Sequence, residues 1–278
     1  MTFSPEMILL NCGKAIHNAD WNFKNISSPF ARIHRVISGE AYIIIGTNRY
    51  KILPNFIYLT PPFTLHSYEC SGKLELSYIH FYDKKQHIFE ELNFPVAISA
   101  DPLDNELIER VIYLNPSFSL NEYDPKRYDT DLNLKLSLER RKEEDLHNII
   151  ATRSIINYLL SGFIKQSSPK HSSIDPRVRA MVEYIRENIY NTISIEELCE
   201  ISNISPNHVI RIFKKEIGLT PIDYINKKKI ELAQLLLTTE KESIKTIAYK
   251  LSFENISYFN RLFRRYTGTT PKILKQIT

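Results

Sequence analysis

The chain has 278 residues, 43% apolar and 24% charged, with 36 basic and 32 acidic side chains and a formal net charge of +4. That length accommodates two domains with separate cores, and no apolar run is long enough to span a bilayer. Its seven glycines form no G-x-G-x-x-G, G-x-x-x-x-G-K-[ST] or G-x-S-x-G pattern, and H-E-x-x-H is absent, which excludes the common phosphate cradles, the nucleophile elbow and the helical zinc-protease motif.

Met1 to Leu10 carries an acid at Glu6 and no basic start, so no secretory leader is expected. Cys12, Cys70 and Cys199 are odd in number and widely spaced. They indicate neither a zinc nor a redox motif, and free thiols fit a reducing cytoplasm.

Residues 20–100 read as strands. Arg32–Ile37 precedes the turn signal Ser38-Gly39-Glu40. Ala41–Ile45, Tyr50–Leu53 and Phe56–Thr60 follow, separated by Gly46-Thr-Asn48 and Pro54-Asn55. Short β-branched and aromatic runs with such turns predict a small sandwich or barrel. Residues 101–165 change period. Leu103, Leu107, Val111 and Leu114 recur at helical spacing up to Asn115-Pro116, while Leu132, Leu134, Leu136 and Leu138 alternate ambiguously. Leu146, Ile149, Ile150, Ile156, Leu159, Leu160 and Phe163 mark a stronger helix, expected over 143–165. It is apolar on more than one face, so it either covers the strands or pairs two chains. Residues 166–175, polar and Pro-broken, read as a linker.

From Asp175 everything reads helical. Asp175-Pro176 is an N-cap with Pro at N1, and Ser194-Ile-Glu-Glu197 is a capping box. Ser205, Ser243 and Asn255 open further helices, and Pro221 opens a long one reaching Thr238. Charge divides at the same place. Residues 176–278 hold 17 basic and 11 acidic side chains, a net of +6, and the remainder holds 19 and 21, a net of −2. A basic module that meets a polyanion is expected behind a front module that does not.

The basic part contains an internal repeat. Residues 205–221 read SPNHVIRIFKKEIGLTP and residues 255–271 read NISYFNRLFRRYTGTTP. Arg211 matches Arg261, Phe213 matches Phe263, Gly218 matches Gly268, and Lys214-Lys215 matches Arg264-Arg265 in charge. Upstream, Cys199 and Ala248 are small where two helices would cross, and Ile204 and Phe253 would plug the angle between them. This is the make-up of two helix-turn-helix units, over about 194–218 and 243–268. The second helix of such a unit enters the major groove. Asn207, Ile210, Arg211, Ile256, Ser257, Asn260 and Arg261 are the candidates for base edges, since Arg bonds guanine, Asn bonds adenine and Ile touches a thymine methyl. Ser205, Lys214, Lys215, Arg264 and Arg265 are the candidates for phosphates. Lys227-Lys-Lys229 on the joining helix reads as general positive field.

These residues resemble the DNA-binding domain of the AraC/XylS family of transcription regulators. The family pattern stands here as Ala248-Tyr-Lys-Leu-Ser252-Phe253, Tyr258-Phe259-Asn-Arg261-Leu-Phe263-Arg264 and Gly268-Thr-Thr270-Pro271. Ser252 replaces the usual turn glycine, and Lys229 replaces the usual arginine before Ile230. Ser at a position needing φ > 0 implies strain. The resemblance implies an α+β multidomain protein: a cupin-like sensor barrel over 1–100, a helical dimerisation segment over 101–165 and the DNA-binding domain over 176–278. It further implies a cytoplasmic homodimer, an activator by family, with promoter DNA, a small-molecule effector and RNA polymerase as partners and no membrane. Arg32, His34, His66, Tyr68, Tyr78 and His80 are the candidate effector contacts, and Arg beside aromatic rings suits a sugar or a small acid. Two alternatives stand beside this: a barrel that only dimerises, and a metal-dependent cupin enzyme. The second needs convergent ligands, whereas His34 has Val36 where an H-x-H pair needs histidine, and His66 and His80 are lone. No cofactor, metal or catalysis is expected.

Overall fold

The structure, a computed structural model, describes residues 6–83, 87–128, 145–170, 174–239 and 242–276. The chain divides into two units, Met1–Lys170 and His171–Thr278.

The front unit is built on β1 (Met7–Asn18), β2 (Phe23–Ile26), β3 (Ala31–Gly39), β4 (Ala41–Ile45), β5 (Asn48–Ile52), β6 (Phe56–Thr60), β7 (His66–Glu69) and β8 (Lys73–Asp83). α1 (His87–Glu91), β9 (Leu92–Asn93), β10 (Ala97–Ser99), α2 (Pro102–Leu114), α3 (Pro125–Tyr128), α4 (Leu146–Lys165) and β11 (Ser168–Pro169) complete it. One antiparallel sheet has the order β1-β8-β3-β6-β10, a second β2-β7-β4-β5, and β11 pairs with β9.

The two-residue period of a strand sorts the side chains. On β8, Leu74, Leu76 and Tyr78 join a core between the two larger sheets, with Ile43 of β4 and Tyr68 of β7. Ile79 and Phe81 point the other way, onto Val111 of α2 and Ile156, Leu159, Leu160 and Phe163 of α4. The five-stranded sheet is therefore covered on both faces. The helical cover is well anchored: Asp101 and Asp104 form a capping box at α2, and the buried Asn115 Nδ2 donates to Val111 O and to Thr152 Oγ1 of α4. Leu103, expected to face the core, is instead exposed in the first turn of α2.

Among the described residues the strands form two facing sheets and no closed barrel of the kind the resemblance implied. Among the described residues no ladder joins the four-stranded sheet to the five-stranded one. Their edges are poorly suited to it: β10 has three residues, and β2 has four with a register break between Phe23 and Ile26. The expected linker also starts later than residue 166. Ser168 pairs with Asn93, and Lys170 donates its N–H to Glu91 O and its Nζ to Phe89 O, so this stretch belongs to the front unit. Leu132, Leu134, Leu136 and Leu138 lie outside the described residues.

The rear unit contains α5 (Pro176–Glu187), α6 (Ile195–Ser202), α7 (Pro206–Ile217), α8 (Pro221–Thr239), α9 (Ile244–Lys250), α10 (Ile256–Thr267) and α11 (Pro271–Gln276). The expected N-caps are present at Asp175, Ser194, Ser243 and Asn255. Two separate cores form. Val178, Met181, Ile185, Leu198, Val209, Phe213 and Ile225 make the first; Ile230, Leu237, Ile247, Ala248, Phe259 and Phe263 belong to the second. α8 contributes to both.

On β1, close approach requires the glycine at position 13. A Cβ on Gly13 would stand 2.6 Å from Tyr78 Oη, which is held in place by the Leu120 N–H at 2.8 Å. Gly13→Ala is expected to destabilise the front unit by about 1–3 kcal/mol in chemical denaturation, and Tyr78→Phe in the same chain to recover part of that loss.

Candidate functional site

α7 and α10 are amphipathic in the same register. Val209, Ile212 and Phe213 are buried on one, and Phe259, Leu262 and Phe263 on the other. Truncating a fully buried ring of this kind costs on the order of 3–5 kcal/mol, and such packing fixes which positions face out. Asn207, Ile210, Arg211, Lys214 and Lys215 are exposed on α7, as are Ser257, Asn260, Arg261, Arg264 and Arg265 on α10. Ile256 is different. It is half-buried against the second core, so the side chain expected at a thymine methyl is largely committed to packing.

The outward cations are mostly uncommitted. Arg211, Lys214 and Arg264 have no ion-pair partner among the described residues. The Arg261 guanidinium lies 5.2 Å over the Tyr258 ring, Lys215 is 3.9 Å from Glu216 Oε1, and Arg265 is 3.7 Å from Asp223 Oδ1. The two helices also start differently. Asn255 Oδ1 accepts from the Ser257 and Tyr258 amides, whereas Ser205 caps α7 with no side-chain bond and keeps its hydroxyl available.

Each unit turns through a left-handed residue, Asn203 at φ 53° and Ser252 at φ 55°. Asn tolerates this region and Ser does so at a cost, so the strain expected at Ser252 is present. Its Oγ has a partner, donating to Tyr190 O at 2.6 Å. Gly218 and Gly268 end α7 and α10 at φ 82° and 75°, where any side chain would be strained.

The lysine triplet is not a uniform surface field. Lys227 and Lys228 approach Glu231 at 3.9 and 2.9 Å. Lys229 is buried, with Nζ donating to Asn191 O and Leu251 O, both at 2.8 Å. Burial pulls its pKa down to about 8. Sequence reasoning missed this role because its partners are carbonyls 38 and 22 residues away.

In the front unit, strand parity places the other candidates together. Arg32 pairs across the ladder with His80, and His34 with Tyr78, while His66 and Tyr68 share a face of β7. Arg32, His34, His66, Tyr68, Tyr78 and His80 are all buried. The His34 ring stands 5.8 Å from Tyr68 and 6.2 Å from His80. His66 Nδ1 reaches Thr64 O at 2.8 Å, so this nitrogen carries the proton and Nε2 accepts from Tyr68 Oη at 3.0 Å. His34 Nδ1 and His80 Nδ1 are buried with no hydrogen-bond partner among the described residues. Two further members were not anticipated: Trp21, stacked 3.9 Å from Tyr68, and Tyr128, stacked 5.2 Å from His80. Trp21 is the single tryptophan of the chain, the one signal by which it could have been found. No group of three His, Cys, Asp or Glu suited to a metal occurs among the described residues.

Residues 198–276 match the sequence profile of a family described as a helix-turn-helix domain. The doubled pattern on two exposed, basic second helices agrees with that match. The helical unit is a tandem helix-turn-helix domain similar to those of AraC/XylS-type regulators. The chain is similar to the uncharacterised HTH-type transcriptional regulator YfiF of Bacillus subtilis, at 24% identity over 89% of this chain and 77% of that one. It is 21% identical to the arabinose operon regulatory protein of Escherichia coli, over 86% and 78% of the two chains. Among solved structures, ToxT from Vibrio cholerae aligns with 95% of this chain and 98% of its own at 17% identity and a TM-score of 0.47. By its helix-turn-helix domain and these relatives, the chain is a DNA-binding transcription regulator. No helix among the described residues is long and apolar enough to cross a membrane.

The buried histidines set an acid limit on the front unit. Burial, then the Arg32 charge, pulls His34 and His66 down to about 3, and burial holds His80 well below its ordinary value as well. The unfolded chain, with histidines near 6.5, therefore binds protons first as pH falls. Stability is complete above pH 6.5 and is lost between pH 6.5 and 3. At pH 5 the expected loss is roughly 2 kcal/mol per histidine, read as a falling melting midpoint that His34→Phe shifts to lower pH.

Proposed function

We propose that the chain is an effector-responsive transcription regulator that acts as a cytoplasmic homodimer on promoter DNA. One observation carries the DNA part: Arg211 with Lys214, and Arg261 with Arg264, stand exposed at matching places on two like helices. α8, with 19 residues, is about 28 Å long at 1.5 Å per residue, comparable to one duplex turn of about 34 Å. In this reading α7 and α10 enter successive major-groove segments on one face of the duplex. Asn207, Ile210, Arg211, Ser257, Asn260 and Arg261 read base edges, with Ile256 in a lesser share. Ser205, Lys214, Lys215, Arg264 and Arg265 hold phosphates. RNA polymerase is the partner of the bound complex, and the chain performs no catalysis.

The two facing sheets are read as a cupin-like sensor module. Its ligand is a sugar or a small acid, met by Arg32, His34, His66, Tyr68, Tyr78 and His80; the arabinose operon regulatory protein supports the sugar class. α4 supports a second copy of the chain as partner, since Leu146, Ile150 and Tyr158 are exposed at helical spacing on the side turned away from the sheet. Effector binding then changes how two linked DNA-binding domains are presented. A second reading, in which the front unit only dimerises, is favoured by the closeness with which Trp21, His34 and Tyr68 fill the space between the sheets.

On a duplex selected by the purified protein, Arg211→Ala and Arg261→Ala are each expected to cost about 1–3 kcal/mol and to relax base preference. Lys214→Ala and Arg264→Ala are expected to weaken all duplexes alike and to reduce the salt slope by about one. Fluorescence anisotropy across a salt series separates the two classes, and four variants that bind like the parent chain would refute the recognition helices. For the front unit, a panel of sugars and small carboxylic acids is expected to contain a compound that raises the melting midpoint and alters DNA affinity, both lost in Arg32→Ala. A panel without effect on either property favours the dimerisation-only reading.

A further inference from the structure

The two cores of the helical unit change over along α8. Ile225 serves the first, while Ile230, Ala233 and Leu237 serve the second. Lys229 stands at the changeover. Beside it a cavity of about 350 Å³ opens, with Ile193, Ile222, Asn226, Phe253 and Tyr258 in its wall. Apolar side chains therefore leave the wedge between α8, the 192–193 loop and the 252–255 turn partly unfilled.

What bridges this wedge is polar. The Lys229 ammonium donates to Asn191 O, just past α5, and to Leu251 O, at the end of α9, both at 2.8 Å. Ser252 Oγ donates to Tyr190 O at 2.6 Å. No carboxylate lies within ion-pair reach of Lys229 among the described residues. Its charge is met by carbonyl groups, including one at a helix C-terminus, where backbone dipoles favour a cation. These bonds tie the segment before the first helix-turn-helix to the turn of the second, over and above the covalent connection through α8.

Lys229 and Ser252 are also the two positions where the sequence departs from the family pattern. They converge on one seam, residues 190–191 against 251–252. A glycine at 252 would remove the strain of φ 55° but would offer no hydroxyl to Tyr190. We propose that Lys229 and Ser252 form a polar clasp that fixes the separation of α7 and α10, and with it the number of base pairs the chain accepts between its two half-sites. Both are positioning residues: Lys229 is buried, and the Ser252 hydroxyl is engaged with protein. The proposal rests on the reading of α7 and α10 as the DNA-reading helices.

The test starts with the bipartite duplex that the full wild-type chain selects from a random pool. Affinity is then measured for that duplex, for versions with one base pair added or removed between the halves, and for each half alone. The wild-type chain is expected to lose about tenfold on a one-base-pair change. Ser252→Gly and Lys229→Met are expected to lose less than about threefold while binding single halves within about twofold of wild type. Lys229→Arg is expected to keep most of the wild-type discrimination. Ser252→Gly removes strain instead of adding it, so the test stands even if Lys229→Met does not fold. Unchanged spacing preference in Ser252→Gly, or equal losses on half and full sites, overturns the clasp and leaves the DNA-reading assignment standing. A wild-type chain that selects no duplex overturns that assignment, and the clasp falls with it.

Discussion

α8 is the spine of the helical unit because one helix has to satisfy two cores. Its apolar residues are divided between them, with Tyr224 and Ile225 on one side of the changeover and Ile230, Ala233, Leu236 and Leu237 on the other. Neither helix-turn-helix completes its core without this helix. The position of each recognition helix is consequently referred to the same axis. Phe213 and Phe263 lock α7 and α10 into their cores, and Tyr266 Oη adds a bond from α10 to Asp223 O near the start of α8. The exposed Arg, Asn and Lys side chains inherit their placement from packing on the opposite face.

The front unit obeys a different constraint. Its central sheet is covered on both faces, so most residues of β3 and β8 are packed on one side or the other. The odd positions Ile33, Ile79 and Phe81 go to the helices. The even positions go between the sheets, and there the sequence supplies Arg32, His34, Tyr78 and His80 where a purely structural core would use aliphatic residues. Keeping three histidines neutral beside a guanidinium costs stability in acid, and apolar replacements would avoid that cost.

The helical unit could be read closely from the sequence because its determinants are local. Capping boxes span four residues, the repeat has near-constant spacing, and Gly218 and Gly268 close both recognition helices as the pattern requires. In the front unit Arg32, His34, Tyr78 and His80 were candidates through the family resemblance, and the β3–β8 register is what brings them to one face. Non-local determinants stayed hidden. Sheet closure depends on edge strands meeting, and among the described residues they do not. Lys229 sits in a run of three lysines and differs from its neighbours only through carbonyls brought to it by the tertiary fold. Ile256 reads as outward-facing by sequence, yet it leans on the second core. Leu103 is apolar at the right spacing, yet it stays exposed in the first turn of α2.

The unequal starts of α7 and α10 have a consequence of their own. One helix opens with a hydroxyl that makes no capping bond, at Ser205, and the other with an amide whose oxygen is already engaged by two backbone N–H groups, at Asn255. The outward residues differ too, Asn207, Ile210 and Arg211 on the first against Ser257, Asn260 and Arg261 on the second. In the proposed reading of α7 and α10, two unlike readers in fixed order along one chain give the domain a polarity. Turned end for end on a duplex it would meet different base edges, so the same sequence element carries an orientation as well as an address.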